Sequence, residues 1–399
     1  DITCPWVHEH TDQLDSGTAY FEPSQGYPLG GFNCLHSHEY SIRELLKHLE
    51  VEVSEARNKP TIQVREGELH NIVDAAEKAL ADSGKYYQMG NLIVSVSTDP
   101  VTGTPSILPV KQPALIRDLS FRLSWEKYDG RGSGSWKPCD PPQRHVAILY
   151  ESQEFNHLPR LKGVAHQPYF DGELVTDAGY NENTKLFGVF DSRKYNIPAT
   201  PTKEEAMEAM ALLENLIDEF HFAKPEDKSA ALSAIFTATT RTTLDLAPAF
   251  HFKASTYGVG KSLLSAVVAK FASASGSHRV SYPTTSEEAT KLMLSLLLTN
   301  PAVIEFDDLD NDLIPHNIIK SVLTSDTYAG RILGYSKTAS VSTRTLLLSS
   351  GNNVDPVRDL SRRVVTVNLD AGVATPATLT YNKDPLEMIQ QNRELYVST

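Results

Sequence analysis

The segment GVGKS, at residues 258–262, constrains the fold more than any other part of this 399-residue sequence. It is preceded by the apolar run APAFHF and followed by LLSAVVAKF, in which apolar residues recur at helical spacing. A glycine-rich turn that leads into a helix points several backbone N–H groups at one spot, where they bind phosphate. A lysine at this position reaches the outer phosphates, and the hydroxyl that follows binds magnesium. We therefore predict a strand, a phosphate-binding loop and a helix, with Gly258, Gly260, Lys261 and Ser262 as the binding residues.

One residue of the loop departs from the usual pattern, G-x-x-x-x-G-K-[ST], because Ser255 stands where the first glycine is expected. Serine is small and tolerates turns, so the replacement is a modest defect, and nucleotide affinity is the property that it puts in question. The alternative is a chance G-x-G-K-S in an ordinary loop. The strand and the helix on either side favour the phosphate-binding loop.

A pair of carboxylates follows the next apolar run of β type, at residues 303–306 in PAVIEFDDLDND. At the carboxyl end of a strand, one carboxylate can hold magnesium and the other can polarise the attacking water. An acidic turn after a strand is by itself usually a solvated loop. Its place after a phosphate-binding loop, with the helical segment SEEATKLMLSLLLTN between them, favours the functional interpretation. We predict that Asp307 binds magnesium together with Ser262 and that Asp308 is the catalytic base.

A third buried strand is predicted at residues 346–349, and the segment that follows it ends in Asn352 and Asn353. A carboxamide at this point can hold the attacking water in line with the γ-phosphate of a nucleotide, and we predict this role for Asn352. The lysine, the aspartate pair and the asparagine would then converge on one triphosphate.

The next segment, DPVRDLSRRVV, carries Arg358, Arg362 and Arg363. An arginine that reaches the phosphate of a neighbouring subunit stabilises the transition state of phosphoryl transfer. Adjacent side chains on a strand point to opposite faces, so we expect only one of Arg362 and Arg363 to act in this way, and we favour Arg362. The alternative is a surface ion-pair cluster with Asp355 and Asp359.

In this order, GVGKS, IEFDD and LLLSSGNN resemble the motifs of superfamily 3 helicases, which are compact AAA+ ATPases of viruses, phages and plasmids. The resemblance covers roughly residues 230–371. It implies a protein of phage or plasmid replication in the cytoplasm of a bacterial host, with an α/β AAA+ P-loop core around a parallel sheet. It further implies a homohexameric ring that hydrolyses ATP with magnesium at its subunit interfaces and moves along single-stranded DNA, generally 3′ to 5′.

Members of one branch of this family are often fused behind a primase. The sequence starts at Asp1 without a methionine or a signal peptide, so we interpret it as a piece of a longer polypeptide whose N-terminal part carries the primase. A second function stays open, in which the protein is an ATP-dependent initiator or switch that assembles on DNA without unwinding it. A motor requires ATP hydrolysis that DNA stimulates, whereas a switch turns over ATP slowly and without stimulation.

The segment YAGRILGYSKTASVSTR, at residues 328–344, lies where the superfamily carries an additional hairpin. The formal charge of the whole chain is −13, yet this segment contains no acidic residue. A locally basic segment with interleaved aromatic side chains suits binding of a single-stranded backbone and stacking on its bases. We predict that Arg331, Tyr335 and Lys337 bind DNA. The alternative is an ordinary β-turn with an exposed lysine, and Arg344 can be structural because it leads into the next strand.

Cysteines and histidines cluster near the N-terminus, in CPWVHEH and FNCLHSHE. Zinc takes four such ligands in a tetrahedron, commonly from two knuckles joined by a linker. We predict a zinc site formed by Cys4, His10, Cys34 and His38, for which His36 and His8 are alternative ligands. The segments TAYFEP and GGFNC would be the strands of a zinc-ribbon-like module, similar to those of phage primases, although the second knuckle lacks that family's C-x-x-C. The alternative is a set of surface histidines and core cysteines.

Three cysteines cannot form a disulfide framework in a chain of this size, which indicates a reducing compartment. No stretch approaches the ~20 consecutive apolar residues of a membrane-spanning helix, so we expect no membrane partner. We predict five segments: a zinc-binding module at 1–50, an α+β middle domain at 51–200, a helical collar at 201–248, the AAA+ core at 249–371 and a helical tail at 372–399.

Four local patterns give further expectations. We predict a strand at HVAILY, a loop at YDGRGSGSWKPCDPPQRH and one terminal helix at PLEMIQQNRELYVST. Thr202, with Glu205 three residues later, predicts a capping box at the start of a helix.

Overall fold

The structure, a computed structural model, describes residues 3–10, 17–22, 31–36, 40–49, 59–132, 134–331, 338–373 and 375–399. Its α-helices are α1 Ile42–His48, α2 Leu69–Ala81, α3 Gln112–Arg122, α4 Gln143–Glu151, α5 Lys203–Leu216, α6 Pro225–Thr240, α7 Lys261–Ala272, α8 Ser286–Thr299, α9 Asn317–Val322, α10 Pro385–Gln391 and α11 Arg393–Ser398. Short 3-10 turns are Val7–Glu9, Ser192–Lys194, Arg358–Arg362 and Pro376–Thr378.

The strands are β1 Thr18–Phe21, β2 Gly31–Cys34, β3 Thr61–Val64, β4 Tyr87–Met89, β5 Leu92–Thr98, β6 Pro105–Pro109, β7 Ser124–Asp129, β8 Ser135–Cys139, β9 Gly163–Ala165, β10 Tyr169–Asp171, β11 Glu173–Val175, β12 Gly179–Tyr180, β13 Leu186–Gly188, β14 Ala249–Ala254, β15 His278–Arg279, β16 Val303–Leu309, β17 Thr327–Arg331, β18 Thr338–Ser342, β19 Leu346–Asn352 and β20 Val364–Leu369. No helix in the described ranges is both long and apolar enough to cross a membrane.

The chain forms two compact units, and the first consists of Asp1–Glu68 and Asp118–Pro141. Within it β1 pairs with β2, and β7 pairs parallel to β3 and antiparallel to β8. The loop predicted at YDGRGSGSWKPCDPPQRH is wrong over most of its length, because β7 and β8 form a hairpin there and its last three residues begin α4. The glycines occupy only its turn, where Gly132 and Gly134 have positive φ, while the rings of Tyr128 and Trp136 pair across the strands.

The second unit, Leu69–Arg117 with Pro142–Thr399, is built on a five-stranded parallel sheet. The strand order is β15-β16-β19-β14-β20, so β14 lies between β19 and β20. An α/β core with a parallel sheet is thus confirmed. The five segments predicted from the sequence are finer than the division into two units and stay a prediction.

The central strands are mostly apolar runs, and successive side chains point to opposite faces of the sheet, so both faces are covered with apolar residues. On one face Phe250 and Phe252 are fully buried with α6 and α7. On the other face Ile304 and Phe306 pack with α8 and α9. Burial of each such side chain stabilises the fold by about 1.5–3 kcal/mol. These two layers fix the direction of the strands and hence the edge at which their carboxyl ends meet.

A smaller antiparallel sheet, β4-β5-β6, shares the apolar cluster of α8. The strand predicted at HVAILY is wrong, because these residues lie in α4. Val146 and Leu149, three residues apart, are both buried, and this is the spacing of one helix face. Pro142 is the N-cap residue before them. A short apolar run carries too little periodicity to separate a helix from a strand.

The capping box at α5 is confirmed, since Thr202 and Glu205 each accept a hydrogen bond from the backbone of the other. The prediction of a single terminal helix is wrong, because α10 ends at Gln391 and α11 begins at Arg393, with the non-helical residue Asn392 between them. The break places Arg393 in the core, where it is 5% exposed and donates to the carbonyl of Lys270 and the hydroxyl of Tyr195.

Candidate active site

The predicted side chains gather at the carboxyl ends of β14, β16 and β19, which are adjacent in the sheet. Nζ of Lys261 donates a hydrogen bond to Oδ1 of Asn352 over 2.7 Å. Oγ of Ser262 donates to Oδ1 of Asp307 over 2.9 Å. Ligands of open α/β sheets bind at this edge. Residues from three distant segments of the sequence therefore lie together where a triphosphate and its cation would bind.

The loop between β14 and α7 has the backbone that phosphate binding requires. Gly258 and Gly260 have φ of +79° and +96°, which glycine adopts without strain, and Gly260 is the N-cap of α7. Ser255 is not among the residues with positive φ, so the backbone at this position does not require the missing glycine. Its carbonyl oxygen accepts a hydrogen bond from Nδ2 of Asn353 over 3.1 Å, which joins the start of the loop to the end of β19.

Asp307 is held through one of its two carboxylate oxygens. Oδ1 accepts hydrogen bonds from Ser262, from the hydroxyl of Ser350 at 2.5 Å and from the backbone N–H of Asp308 at 3.0 Å. Burial acts to raise the pKa of Asp307, but hydrogen bonds from Ser350 and Ser262 and the charge of Arg279 hold it below its ordinary value. The carboxylate is therefore ionised at neutral pH. A serine that donates its proton to this carboxylate presents its lone pairs to a cation, so the pair fits the oxygen ligands that magnesium prefers.

The backbone next to these side chains is strained. Asp308, Asn353 and Arg358 have φ between +51° and +54°, which is uncommon for residues other than glycine. Each such residue costs on the order of 1–3 kcal/mol and persists only where its surroundings fix it, most often at functional sites. The side chain of Asp308 is exposed, so its carboxylate is accessible to a water molecule in the site.

Lys261 is 7% exposed. Burial lowers the pKa of Lys261, and the nearby charges of Asp308 and Asp307 act in the opposite direction. The ammonium group is bound by the amide of Asn352 in this arrangement. A bound phosphate would offer it a stronger, charged acceptor.

The three arginines belong to the 3-10 turn Arg358–Arg362 and its C-cap. Nε of Arg362 donates to Oδ1 of Asp359 over 2.9 Å, and Nη2 of Arg363 donates to Oδ2 over 3.0 Å. The expectation that these two arginines point in opposite directions is wrong, because they do not lie on a strand. They form the Asp359 half of the ion-pair cluster that was the alternative interpretation, whereas Asp355 pairs with Lys253. Arg362 is 75% exposed and Arg363 is 23% exposed, and their action on a neighbouring subunit stays a prediction.

A cavity of about 260 Å³ opens beside the loop, and nothing in the sequence pattern predicted it. Its apolar lining includes Val259, Leu263, Leu216, Phe220 and Pro385. A larger cavity of about 730 Å³ shares Phe220 with it. The segments before α6, around the loop and before α10 are far apart in the sequence, so only the fold brings them together.

The two ends of the predicted DNA-binding segment form the paired strands of one hairpin. β17 and β18 pair antiparallel, from Thr327 with Ser342 to Arg331 with Thr338, and Arg331 is exposed. Tyr335 and Lys337 lie outside the described residues. Arg344 is structural, because it donates to the carbonyl of Thr242 and pairs with Asp245.

In the first unit, three of the predicted zinc ligands lie together. The ligand atoms of Cys4, His10 and Cys34 are all within 4.8 Å of one another. Sγ of Cys34 is 3.5 Å from Nε2 of His10 and 3.3 Å from Nδ1 of His36. Ligand atoms on a tetrahedral zinc stand about 3.3–3.8 Å apart, as follows from bond lengths of ~2.0–2.3 Å. The separations of Cys34 from His10 and His36 fall in this range, and thiolate and imidazole are ligands of zinc, so a zinc site at this cluster stays a prediction.

The fourth ligand stays a prediction among three histidines, of which His38 is the predicted one and His36 and His8 are the alternatives. His36 contacts Cys34, and its ring stacks on that of His10 with centroids 3.7 Å apart. His38 lies outside the described residues, and His8 is 70% exposed beside Glu9. Burial acts to raise the pKa of Cys34, but hydrogen bonds, the largest from Thr18, lower it to about 6, so the thiolate that binds metals is present at neutral pH.

No protein-family model matches the sequence. A comparison with curated proteins finds no match either. Similar solved structures include an apo A form of the NrS-1 C-terminal region, with a TM-score of 0.37 and 16% identity over 81% of this chain and 67% of that one. They also include NtrX from Brucella abortus in complex with ATP, with a TM-score of 0.25 and 16% identity over 46% of each chain. A third is JCV helicase, with a TM-score of 0.25 and 13% identity over 49% of this chain and 60% of that one. TM-scores below 0.5 do not establish a family, and the proposals below rest on the geometry of the site.

Proposed function

We propose that this protein hydrolyses ATP and uses the energy to move along single-stranded DNA, as a helicase or translocase of the superfamily 3 type. The observation that carries the proposal is the meeting of Lys261, Ser262, Asp307 and Asn352 at one edge of the sheet, next to a glycine loop at a helix N-terminus. A lysine, a hydroxyl and a carboxylate so arranged bind the phosphates and the cation of a nucleotide.

The base of the nucleotide occupies the cavity beside the loop. Phe220 gives it an aromatic wall, and Leu216, Leu263 and Pro385 give it apolar contacts. A volume of about 260 Å³ accommodates a purine. The phosphates then extend from this cavity across the N-terminus of α7, where backbone N–H groups are unpaired within the helix.

In the chemical step, water attacks the γ-phosphorus, the bond from the γ-phosphorus to the bridging oxygen breaks, and ADP leaves with that oxygen while the γ-phosphoryl group becomes inorganic phosphate. Lys261 leaves Asn352 and binds the phosphate oxygens. Ser262 and Asp307 would hold magnesium, which would supply positive charge to offset that of the phosphate oxygens. The released amide of Asn352 orients the water, and Asp308 accepts its proton. Arg362 or Arg363 leaves Asp359 and stabilises the transferred phosphoryl group in a neighbouring copy of the chain.

The hairpin is joined directly to the nucleotide site. β18 leads through residues 343–345 into β19, which ends at Asn352. Arg241, 3% exposed, holds the joint by donating to the carbonyls of Thr343 and Thr345. A displacement of β19 on nucleotide binding therefore reaches the hairpin that carries Arg331, and we propose that DNA binds there. The zinc-binding module in the first unit would contact DNA as a separate element.

The test compares wild-type protein with Lys261→Ala in ATP hydrolysis and in unwinding of forked DNA. We expect the substitution to abolish both, because the ammonium group that binds the outer phosphates is lost. Lys291→Ala is the matched control, since Lys291 is an exposed lysine of α8 whose one ion pair among the described residues is with Glu287. Hydrolysis that single-stranded DNA stimulates supports the motor. Slow, unstimulated hydrolysis with DNA binding supports the initiator or switch, and equal activity of wild type and Lys261→Ala refutes both.

A further inference from the structure

A second carboxylate of β16, Glu305, lies beneath the proposed magnesium ligand. It is 0% exposed and precedes Asp307 by two residues, so the two side chains lie on the same face of the strand. Its Oε1 accepts a hydrogen bond from Ser265 and its Oε2 accepts one from Ser277. A charge buried this deeply is costly unless an opposite charge lies close to it.

That opposite charge is Arg279, on the neighbouring strand β15. Arg279 stands opposite Glu305 in the parallel register. Its Nε donates to Oε2 of Glu305 over 3.0 Å, while its Nη1 lies 3.7 Å from Oδ2 of Asp307. The guanidinium group is thus hydrogen-bonded to the fully buried carboxylate of Glu305 and only in ionic contact with the half-buried carboxylate of Asp307. Arg279 itself is 53% exposed.

The orientation of Asp307 does not depend on Arg279. The three hydrogen bonds that hold its carboxylate come from Ser262, Ser350 and the backbone of Asp308, and all of them reach Oδ1. Within the described ranges, no donor forms a hydrogen bond with Oδ2. Arg279 therefore acts on Asp307 through its charge rather than by positioning it.

We propose that Arg279 is a fixed cation that competes with Mg²⁺ for Asp307, and that Glu305 limits this competition by holding the guanidinium group away from Asp307. The inference rests on the proposed nucleotide-binding function and adds to it a determinant of metal affinity. Arg279 weakens binding of the free cation, so the site takes the cation together with the phosphates that contribute further ligands.

The two residues give opposite predictions. In Arg279→Ala the carboxylate of Asp307 stays in place and loses the competing charge, so Mg²⁺ binds about threefold to tenfold more tightly, the range expected for a partly screened charge at this distance. In Glu305→Gln the guanidinium group is released to pair directly with Asp307, so Mg²⁺ binds more weakly. The double variant follows Arg279→Ala, because without Arg279 the charge of Glu305 has nothing to restrain.

The measurement is the Mg²⁺ concentration that half-saturates binding of a fluorescent ADP to the full chain. A titration with Mn²⁺ in the absence of nucleotide, followed by electron spin resonance, gives a second readout. Arg193→Ala is the control, since Arg193 lies at the surface and, in the part of the chain that the structure describes, forms its ion pair with Asp191 alone. Thermal melting checks folding, and Arg279→Lys, which keeps the charge, should stay close to the wild type.

Shifts of opposite sign in the two single variants, with the double variant following Arg279→Ala, support the inference. Shifts of the same sign, or none, overturn it, since a purely structural role moves metal affinity in the same direction in both variants. If the wild-type protein fails to bind ADP at any Mg²⁺ concentration, the proposed function fails, and the Mn²⁺ titration still decides whether Arg279 competes for the cation.

Discussion

Replacing Asn352 with alanine tests whether the nucleotide site is assembled before nucleotide binds. The amide oxygen of Asn352 accepts a 2.7 Å hydrogen bond from Lys261, which is 7% exposed. A hydrogen bond to a charged group contributes about 1.5–3 kcal/mol. We therefore expect Asn352→Ala to lower the melting temperature of the nucleotide-free protein by about 2–6 °C.

The same substitution should increase the stabilisation that ADP and Mg²⁺ provide. In the wild type, the phosphates must displace the amide from Lys261, so part of their binding energy replaces an existing bond. In Asn352→Ala the ammonium group has lost that acceptor, and the phosphates gain the full interaction. Differential scanning calorimetry with and without ADP measures both effects.

Two comparisons make the result interpretable. The control is Asn196→Ala, because Asn196 is exposed and bonds Ser398 through its backbone N–H. This variant should melt at the wild-type temperature both with and without ADP. Hydrolysis of ATP by Asn352→Ala should also fall, because the water loses its orienting group. An unchanged melting temperature without ADP, together with a wild-type shift on adding it, would refute the claim that Lys261 and Asn352 share one site.

Four other predictions concern Ser255, the zinc-binding module, Arg362 and His166. Ser255→Gly should destabilise the protein by about 0.4–1 kcal/mol without strengthening nucleotide binding, because the φ of Ser255 is not positive; tighter ADP binding in calorimetry would contradict this. A chelator should remove zinc and unfold the zinc-binding module, which circular dichroism would show, whereas adding back magnesium alone should restore ATP hydrolysis. Cys34→Ser should unfold the same module, and His8→Ala should not. Arg362→Ala should abolish hydrolysis while ADP binding stays intact, and loss of ADP binding would place Arg362 in its own subunit's site. Burial lowers the pKa of His166 to about 4, below the ~6.5 of the unfolded chain. The free energy of unfolding should therefore be highest above about pH 6.5 and fall by up to about 3 kcal/mol as the pH drops toward 4. Denaturant titrations should show that His166→Gln weakens this pH dependence.

Much of the candidate site is accessible from the sequence because parallel strands place their carboxyl ends at one edge. Lys261, Asp307 and Asn352 each follow an apolar run, so their proximity follows from the α/β alternation alone. The 3-10 turn at Arg362 and the helix at HVAILY were not accessible in this way, because short apolar segments carry no decisive period.

The cavity beside the loop and the Arg279 contact were missed for different reasons. The cavity depends on Phe220 and Pro385, which only long-range packing brings to the loop. Glu305 left a signal that the sequence could have revealed, since a glutamate inside the buried run VIEF requires buried donors and a cation. Which cation takes that place is decided by the pairing of β15 with β16, and this pairing cannot be derived from two residues of strand.

The most direct test of the central claim is isothermal titration calorimetry with a non-hydrolysable ATP analogue and Mg²⁺. If Lys261 and Asp307 belong to one triphosphate site, the wild type binds the analogue, and Lys261→Ala and Asp307→Asn each weaken binding at least tenfold, a loss of about 1.4 kcal/mol or more. Arg193→Ala should bind as the wild type does. Equal affinity of all four proteins, or no binding by the wild type, would contradict the account.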